Sequence, residues 1–102
     1  MILEVKTFRM DCTDKEQAVK VLEEAAEVLG AWQVIDECSD SSGCVECGFR
    51  PDNCCAPHDL ADEIADVIQA ACNLAARYGI DMAAAMERCE RRNRERGRYE
   101  RS

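Results

Sequence analysis

The helical spacing of apolar residues between Thr13 and Asp36 places the strongest constraint on how this chain can fold. Apolar side chains recur there three and four residues apart, which is the period of an α-helix. Thr13 and Glu16 have the spacing of a capping box, in which each side chain accepts the backbone N–H of the other residue. The sequence therefore predicts a long first helix that begins after Thr13 and ends near Asp36. Its apolar positions are Ala18, Val21, Leu22, Ala25, Val28, Leu29 and Trp32.

A second long helix is predicted to begin near Pro57, since proline suits the first turn of a helix. Gly79 is typical of the residue just after a helix end, and Asp81 suits the N-cap of a third helix starting at Met82. Gly97 is expected to end that third helix. The buried side of the second helix is predicted at Leu60, Ile64, Val67, Ile68, Ala71, Cys72 and Ala75. The residues before Thr13 fit a short strand or an irregular lead-in.

These elements predict an all-α fold, a bundle of two long helices plus a C-terminal helix. A chain of 102 residues is expected to form one domain, spanning 1–102. Aromatic residues make up only 5% of it, and Ala, Val, Leu and Ile dominate the apolar set, which favours helix-on-helix packing. Because so short a chain buries a modest core, we expect a four-helix-bundle-like core completed by dimerisation, in a homodimer or homotetramer.

The charge balance excludes some classes of partner. A formal net charge of −8 argues against a general nucleic-acid binder, which would be basic. No segment approaches the ~20 apolar residues that cross a bilayer, so no membrane partner is expected. The first residues do not have the layout of a signal peptide. We expect a cytoplasmic protein with reduced thiols.

Two pairs of acidic residues recur within the helical patterns. Glu24 with Glu27, and Glu63 with Asp66, are three residues apart and therefore share a helix face. If the two helices pack side by side, four carboxylates converge and require a cation. No Lys or Arg lies between positions 51 and 76 to neutralise the second pair. Carboxylate oxygens suit Mg²⁺. The alternative is that these are ordinary acidic residues on exposed helix faces, some of them favoured by the dipole at a helix start.

The paired motifs Glu23-Glu24-x-x-Glu27 and Glu63-x-x-Asp66, followed by the segment from Arg91 to Tyr99, resemble the MazG-like nucleotide pyrophosphohydrolases, an all-α superfamily. The similarity extends from about residue 15 to residue 99. It implies a hydrolase that cleaves nucleoside triphosphates to the monophosphate and pyrophosphate with Mg²⁺, for which Mn²⁺ can substitute. It also suggests a role in removing non-standard or excess nucleotides.

The resemblance implies a role for each matching residue. Glu24, Glu27, Glu63 and Asp66 would be metal ligands. Glu23 would orient or deprotonate the attacking water. Asn93 and Arg96 would contact the nucleotide. Beyond the resemblance, Arg92 and Lys20 are further candidate contacts to the substrate. Two features depart from the family pattern: the gap between the acidic motifs is longer than usual, and Cys89 replaces a lysine that often lies four residues before the asparagine.

An arginine-rich tail occupies about 88–102. Its guanidinium groups match phosphate oxygens in geometry. The alternative is a solvated helix end, where cations suit the C-terminal dipole and pair with neighbouring glutamates. We expect the second interpretation to hold for most of these arginines.

A cysteine-rich loop insert at about 37–56 separates the two long helices. Cys44, Cys47, Cys54 and Cys55 could supply four tetrahedral ligands to Zn²⁺, which would hold so long a loop in place. Disulfides and free thiols are the other two interpretations. This insert supports the alternative function, a non-enzymatic helical protein whose zinc-binding loop mediates partner contacts.

Overall fold

Three α-helices form the part of the chain that the structure, a computed structural model, describes, namely residues 3–39 and 56–100. They are α1 (Asp14–Ser39), α2 (Ala56–Arg77) and α3 (Met82–Glu95), and these ranges contain no strand. The prediction of an all-α fold is confirmed. The four cysteines of the predicted zinc site, Cys44, Cys47, Cys54 and Cys55, lie outside the described residues.

The start of α1 is fixed by the predicted capping box. The Thr13 N–H donates to Glu16 Oε2 at 2.8 Å, and the Glu16 N–H donates to Thr13 Oγ1 at 3.1 Å. Both bonds satisfy N–H groups that a helix start leaves without intrahelical partners. The helix extends three residues beyond Asp36, to Ser39.

The turn from α2 to α3 also follows local rules. Gly79 has a φ of 64°, a left-handed conformation that costs glycine little. The Ile80 N–H donates to the Ala75 carbonyl at 2.9 Å, the long bond of a Schellman motif. The Asp81 side chain then caps α3 by accepting from the Ala84 N–H at 3.1 Å. The helix boundaries here are those predicted.

α1 and α2 pack as an antiparallel hairpin. Arg77, the last residue of α2, reaches the start of α1: its Nη1 donates to Gln17 Oε1 at 2.8 Å and to the Cys12 carbonyl at 2.6 Å. Its Nε forms an ion pair with Asp14. This pairing is the principal helix–helix interface among the described residues.

The side of α1 that packs on α2 is more polar than its apolar spacing suggests. Gln17 and Glu24 are buried, with 1% and 7% of their surface exposed. The positions Ala18, Leu22, Ala25, Leu29 and Trp32 are all exposed instead, and we call this side the outer face of α1. On α2, Ile64 is 44% exposed, so its predicted place on the buried side is wrong. The remaining predicted positions of that side are buried or half-buried.

In the segment before α1, residues 3–13 have no regular secondary structure and run along α2. The Phe8 N–H donates to Asn73 Oδ1 at 3.1 Å, and Gln69 Nε2 donates to the Lys6 carbonyl at 2.9 Å. These bonds tether the segment to one side of the hairpin.

α3 contains no buried residue and makes little contact with the other two helices. It ends in a second Schellman motif, in which Gly97 has a φ of 72° and the Arg98 N–H donates to the Asn93 carbonyl. Gly97 thus ends the helix as predicted. No helix in the described part of the chain has the length and apolar content to cross a membrane.

Candidate metal centre

Three carboxylates from two helices meet at the α1–α2 interface. One oxygen from each of Glu24, Glu63 and Asp66 lies within 4.8 Å of the other two. Oxygens that share one divalent cation lie about 2.1–2.5 Å from it, and therefore at most about 5 Å from one another. The spacing of these three groups is thus compatible with binding to one ion.

Glu27 is the fourth member of this group, which we call the acidic cluster. Its pKa is raised, first because a protonated Glu27 can donate a hydrogen bond to the Glu63 carboxylate, and then by the negative charges of Glu24 and Glu63. A carboxyl whose pKa rises in this way lies among like charges that lack full compensation. The antiparallel hairpin therefore places three of the four residues predicted as metal ligands within reach of one ion, and the fourth, Glu27, lies beside Glu63 and outside that set.

One oxygen of the cluster is buried without a protein partner. Glu63 Oε2 is shielded from solvent and accepts no hydrogen bond from the described residues. Burying an unpartnered carboxylate oxygen is costly, and such atoms in folded proteins are usually paired with a donor or a cation. This atom distinguishes the cluster from ordinary acidic groups on a helix surface.

Lys20 partly neutralises the negative charge of the cluster on the side of Glu24. Its Nζ lies 2.7 Å from Glu24 Oε1, four residues along the same helix. This hydrogen bond raises the pKa of Lys20 and holds the pKa of Glu24 below its ordinary value, against the effect of burial. Four carboxylates and one ammonium carry a formal charge of −3 when all are ionised (−4 + 1). The cluster therefore retains a demand for positive charge.

The other predicted site residues lie outside this cluster. Glu23 is exposed on α1, rotated about 100° from Glu24 around the helix axis. Asn93 donates to Cys89 Sγ at 3.6 Å within α3. Arg92 and Arg96 are exposed. No contact found among the described residues joins these α3 side chains to the cluster.

A second polar site, which the sequence did not indicate, lies beside the N-terminal segment. It is a cleft of about 420 Å³ whose lining includes Phe8, Met10, Gln17, Asn73 and Arg77. Gln17 and Asn73 are almost completely buried, and we call this site the amide cleft. The one signal in the sequence is spacing, since Gln17 precedes Glu24, and Asn73 follows Asp66, by seven residues, or about two helical turns.

Comparisons of this chain with known protein families, with curated proteins and with solved structures found no match.

Proposed function

We propose that this chain is a Mg²⁺-dependent nucleoside triphosphate pyrophosphohydrolase that releases a nucleoside monophosphate and pyrophosphate. Two observations on one residue carry the proposal: Glu63 meets Glu24 and Asp66 within 4.8 Å, and its Oε2 is buried without a hydrogen-bond partner among the described residues. Ordinary surface acids do not bury such an atom, whereas ligands of a hard divalent cation are carboxylate oxygens of this kind.

The residues of the cluster suit particular roles in this reaction. Glu24, Glu63 and Asp66, with Glu27 beside them, would hold Mg²⁺ or, in its place, Mn²⁺. The bound ion would neutralise negative charge on the phosphates. Glu23, on the adjoining side of α1, would orient or deprotonate the water that attacks the phosphoanhydride. Lys20 would exchange its contact with Glu24 for a phosphate oxygen.

The remaining nucleotide contacts are proposed on α3. Asn93, Arg92 and Arg96 would contact the phosphates, in keeping with the match of guanidinium groups to phosphate geometry. Because α3 packs so little against the hairpin of its own chain, these contacts depend on how the chain assembles. We propose a homodimer or homotetramer, formed through the outer face of α1. The substrates would be unwanted cytoplasmic nucleotides.

The test is a pyrophosphate-release assay over a panel of ribo- and deoxyribonucleoside triphosphates with Mg²⁺. We expect wild-type turnover on at least one nucleotide, and a loss of about 100-fold or more in Glu24→Gln and Glu63→Gln, the scale seen when a group that stabilises charge is removed. Both substitutions keep side-chain volume and remove a formal charge.

Asp62→Asn is the matched control, because Asp62 is exposed and lies next to Glu63 on α2 without belonging to the cluster. It should stay within about twofold of wild type, as surface substitutions usually do. Absence of wild-type turnover on every nucleotide, or full activity in Glu63→Gln, would refute the proposal.

A further inference from the structure

We infer that the amide cleft binds the base of a nucleotide whose phosphates lie at the acidic cluster. The inference deepens the proposed function and rests on it for the position of the phosphates. It assigns a ligand class, a purine or pyrimidine base, to a site that the family resemblance does not mention.

The two amides of the cleft lie about two helical turns from the acidic cluster. Gln17 lies seven residues before Glu24 on α1, and Asn73 lies seven residues after Asp66 on α2. Because the helices are antiparallel, both amides are displaced from the cluster in the same direction, by about 10 Å at 1.5 Å per residue. That displacement is comparable to the span from the phosphates to the base in an extended nucleotide.

The two amides also match the hydrogen-bonding groups on the edges of bases. Gln17 and Asn73 are 1% and 3% exposed, and an amide carries both a donor and an acceptor, as the edges of bases do. Gln17 Oε1 accepts from Arg77, and Asn73 Oδ1 accepts from both Phe8 N–H and Gln69 Nε2. These bonds orient both amides, with their oxygens toward protein donors. We therefore expect the NH₂ groups to bind acceptors on the base.

The cleft has a size and apolar walls that suit a planar ring. A cleft of about 420 Å³ falls within the range of about 300–1,000 Å³ for small-molecule sites. Phe8 and Met10 give it apolar walls against which a planar ring can pack. Arg9 and Arg77 also line it, so a free anion is the competing ligand. Arg77 is already bound to Asp14 and Gln17, which favours a neutral ring over a phosphate group.

The direct test is nuclear magnetic resonance of the side-chain amides in ¹⁵N-labelled protein. Gln17→Glu and Asn73→Asp each lack one NH₂ signal and so identify it in wild type. Titration with single nucleosides, which carry no phosphate, should shift both signals for at least one base. Inorganic triphosphate is the matched probe for an anion. Shifts with triphosphate alone, or no shift with any nucleoside, overturn the inference.

The kinetic test uses the same two variants, which keep the oxygen that accepts the observed hydrogen bonds and replace only the NH₂. For the preferred nucleotide we expect KM to rise about tenfold or more, because a polar group of the base loses its partner. Turnover at saturation should change less than KM, because these amides are proposed to contact the base and not the phosphates. Unchanged KM values for every nucleotide would contradict the inference.

The two proposals fail in different ways. If nucleosides shift the amide signals but no nucleotide is hydrolysed, the cleft binds bases and the proposed reaction is wrong. If nucleotides are hydrolysed while the amide signals and the KM values of both variants are unchanged, the reaction stands and the base lies elsewhere.

Discussion

Glu24 and Glu27 lie one helical turn apart on α1, yet their surroundings move their pKa values in opposite directions. The hydrogen bond from Lys20 lowers the pKa of Glu24, whereas the hydrogen bond with Glu63 and the charges of Glu24 and Glu63 raise the pKa of Glu27. The negative charge of the cluster is thus partly neutralised by Lys20 near Glu24, but it is not neutralised between Glu27 and Glu63. A bound cation would relieve repulsion on the second side.

Replacing Glu27 by glutamine should stabilise the cation-free protein near pH 7. A carboxyl whose folded pKa exceeds its unfolded pKa costs stability as pH rises from the unfolded value through the folded one. Glu24 acts in the opposite sense, since its lowered pKa gives stability that is lost as pH falls through its folded value. The difference between Glu27→Gln and wild type contains the first effect, together with the loss of the smallest contribution to the lowered pKa of Glu24.

Urea unfolding in chelator, at several pH values from 4 to 8, measures this difference. We expect the advantage of Glu27→Gln in free energy of unfolding to grow with pH over the window just above the ordinary carboxyl pKa. Asp62→Asn controls for loss of a negative charge on the surface. A variant less stable than wild type at pH 7 would show that Glu27 is not repelled by its neighbours.

Mg²⁺ itself should stabilise wild type against unfolding. A ligand that binds only the folded state adds RT ln(1 + [L]/Kd), about 2.7 kcal/mol at 100 times Kd. Thermal unfolding with increasing Mg²⁺ should therefore raise the Tm of wild type and have little effect on Glu63→Gln, which lacks the charge at the buried oxygen. Equal shifts in both proteins would indicate a general salt effect, as would an equal shift with NaCl at matched ionic strength.

At the scale of the elements, the helix ends are the features that the sequence predicts best. Thr13 with Glu16, Gly79 and Asp81 act through bonds to residues a few positions away. Such bonds depend on local chemistry and little on the rest of the fold. The two acidic pairs could be identified from the sequence for the same reason, since positions three apart on any helix share a face.

Loss of the α1 cap should have a definite cost. Thr13→Ala removes the oxygen that accepts the Glu16 N–H, and N-cap substitutions of this kind cost about 1 kcal/mol. Thr13→Ser keeps the hydroxyl and should stay close to wild type in urea unfolding. If Thr13→Ala and Thr13→Ser unfold at the same urea concentration, the cap contributes nothing measurable.

Local sequence patterns do not predict which side of α1 packs against α2. Apolar residues occupy two neighbouring sides of this helix, one through Val21 and Val28 and the other through Leu22 and Leu29. Helical spacing predicts the helix but does not choose between these sides. In the structure α2 packs against the Val21 side, which also buries Gln17 and Glu24. The amide cleft escaped prediction for a related reason, because isolated amides form no motif until three segments bring them together.

At the scale of the whole molecule, the α1–α2 hairpin buries few apolar side chains among the described residues. Among the described residues, only Ala70 and Ala75 are apolar and buried. The outer face of α1 meanwhile leaves Leu22 71%, Leu29 56% and Trp32 50% exposed. Its members follow one another at alternating spacings of four and three residues, the pattern with which helices pair in coiled coils and bundles. A second copy that presents the same face would cover it by two-fold symmetry.

A single substitution that places a charge on the outer face of α1 should therefore separate the copies. We expect wild type to run as a dimer or tetramer in size-exclusion chromatography with light scattering at micromolar concentration, and Leu22→Glu to run as a monomer, because the interface would bury an unpaired carboxylate. Val34→Glu is the matched control, since Val34 is 44% exposed but lies on the opposite side of α1. It should keep the wild-type mass. A monomeric wild type, or an oligomeric Leu22→Glu, would mean that the outer face of α1 joins no second copy. Nucleotide hydrolysis measured on the same samples would then show whether the acidic cluster works within one chain.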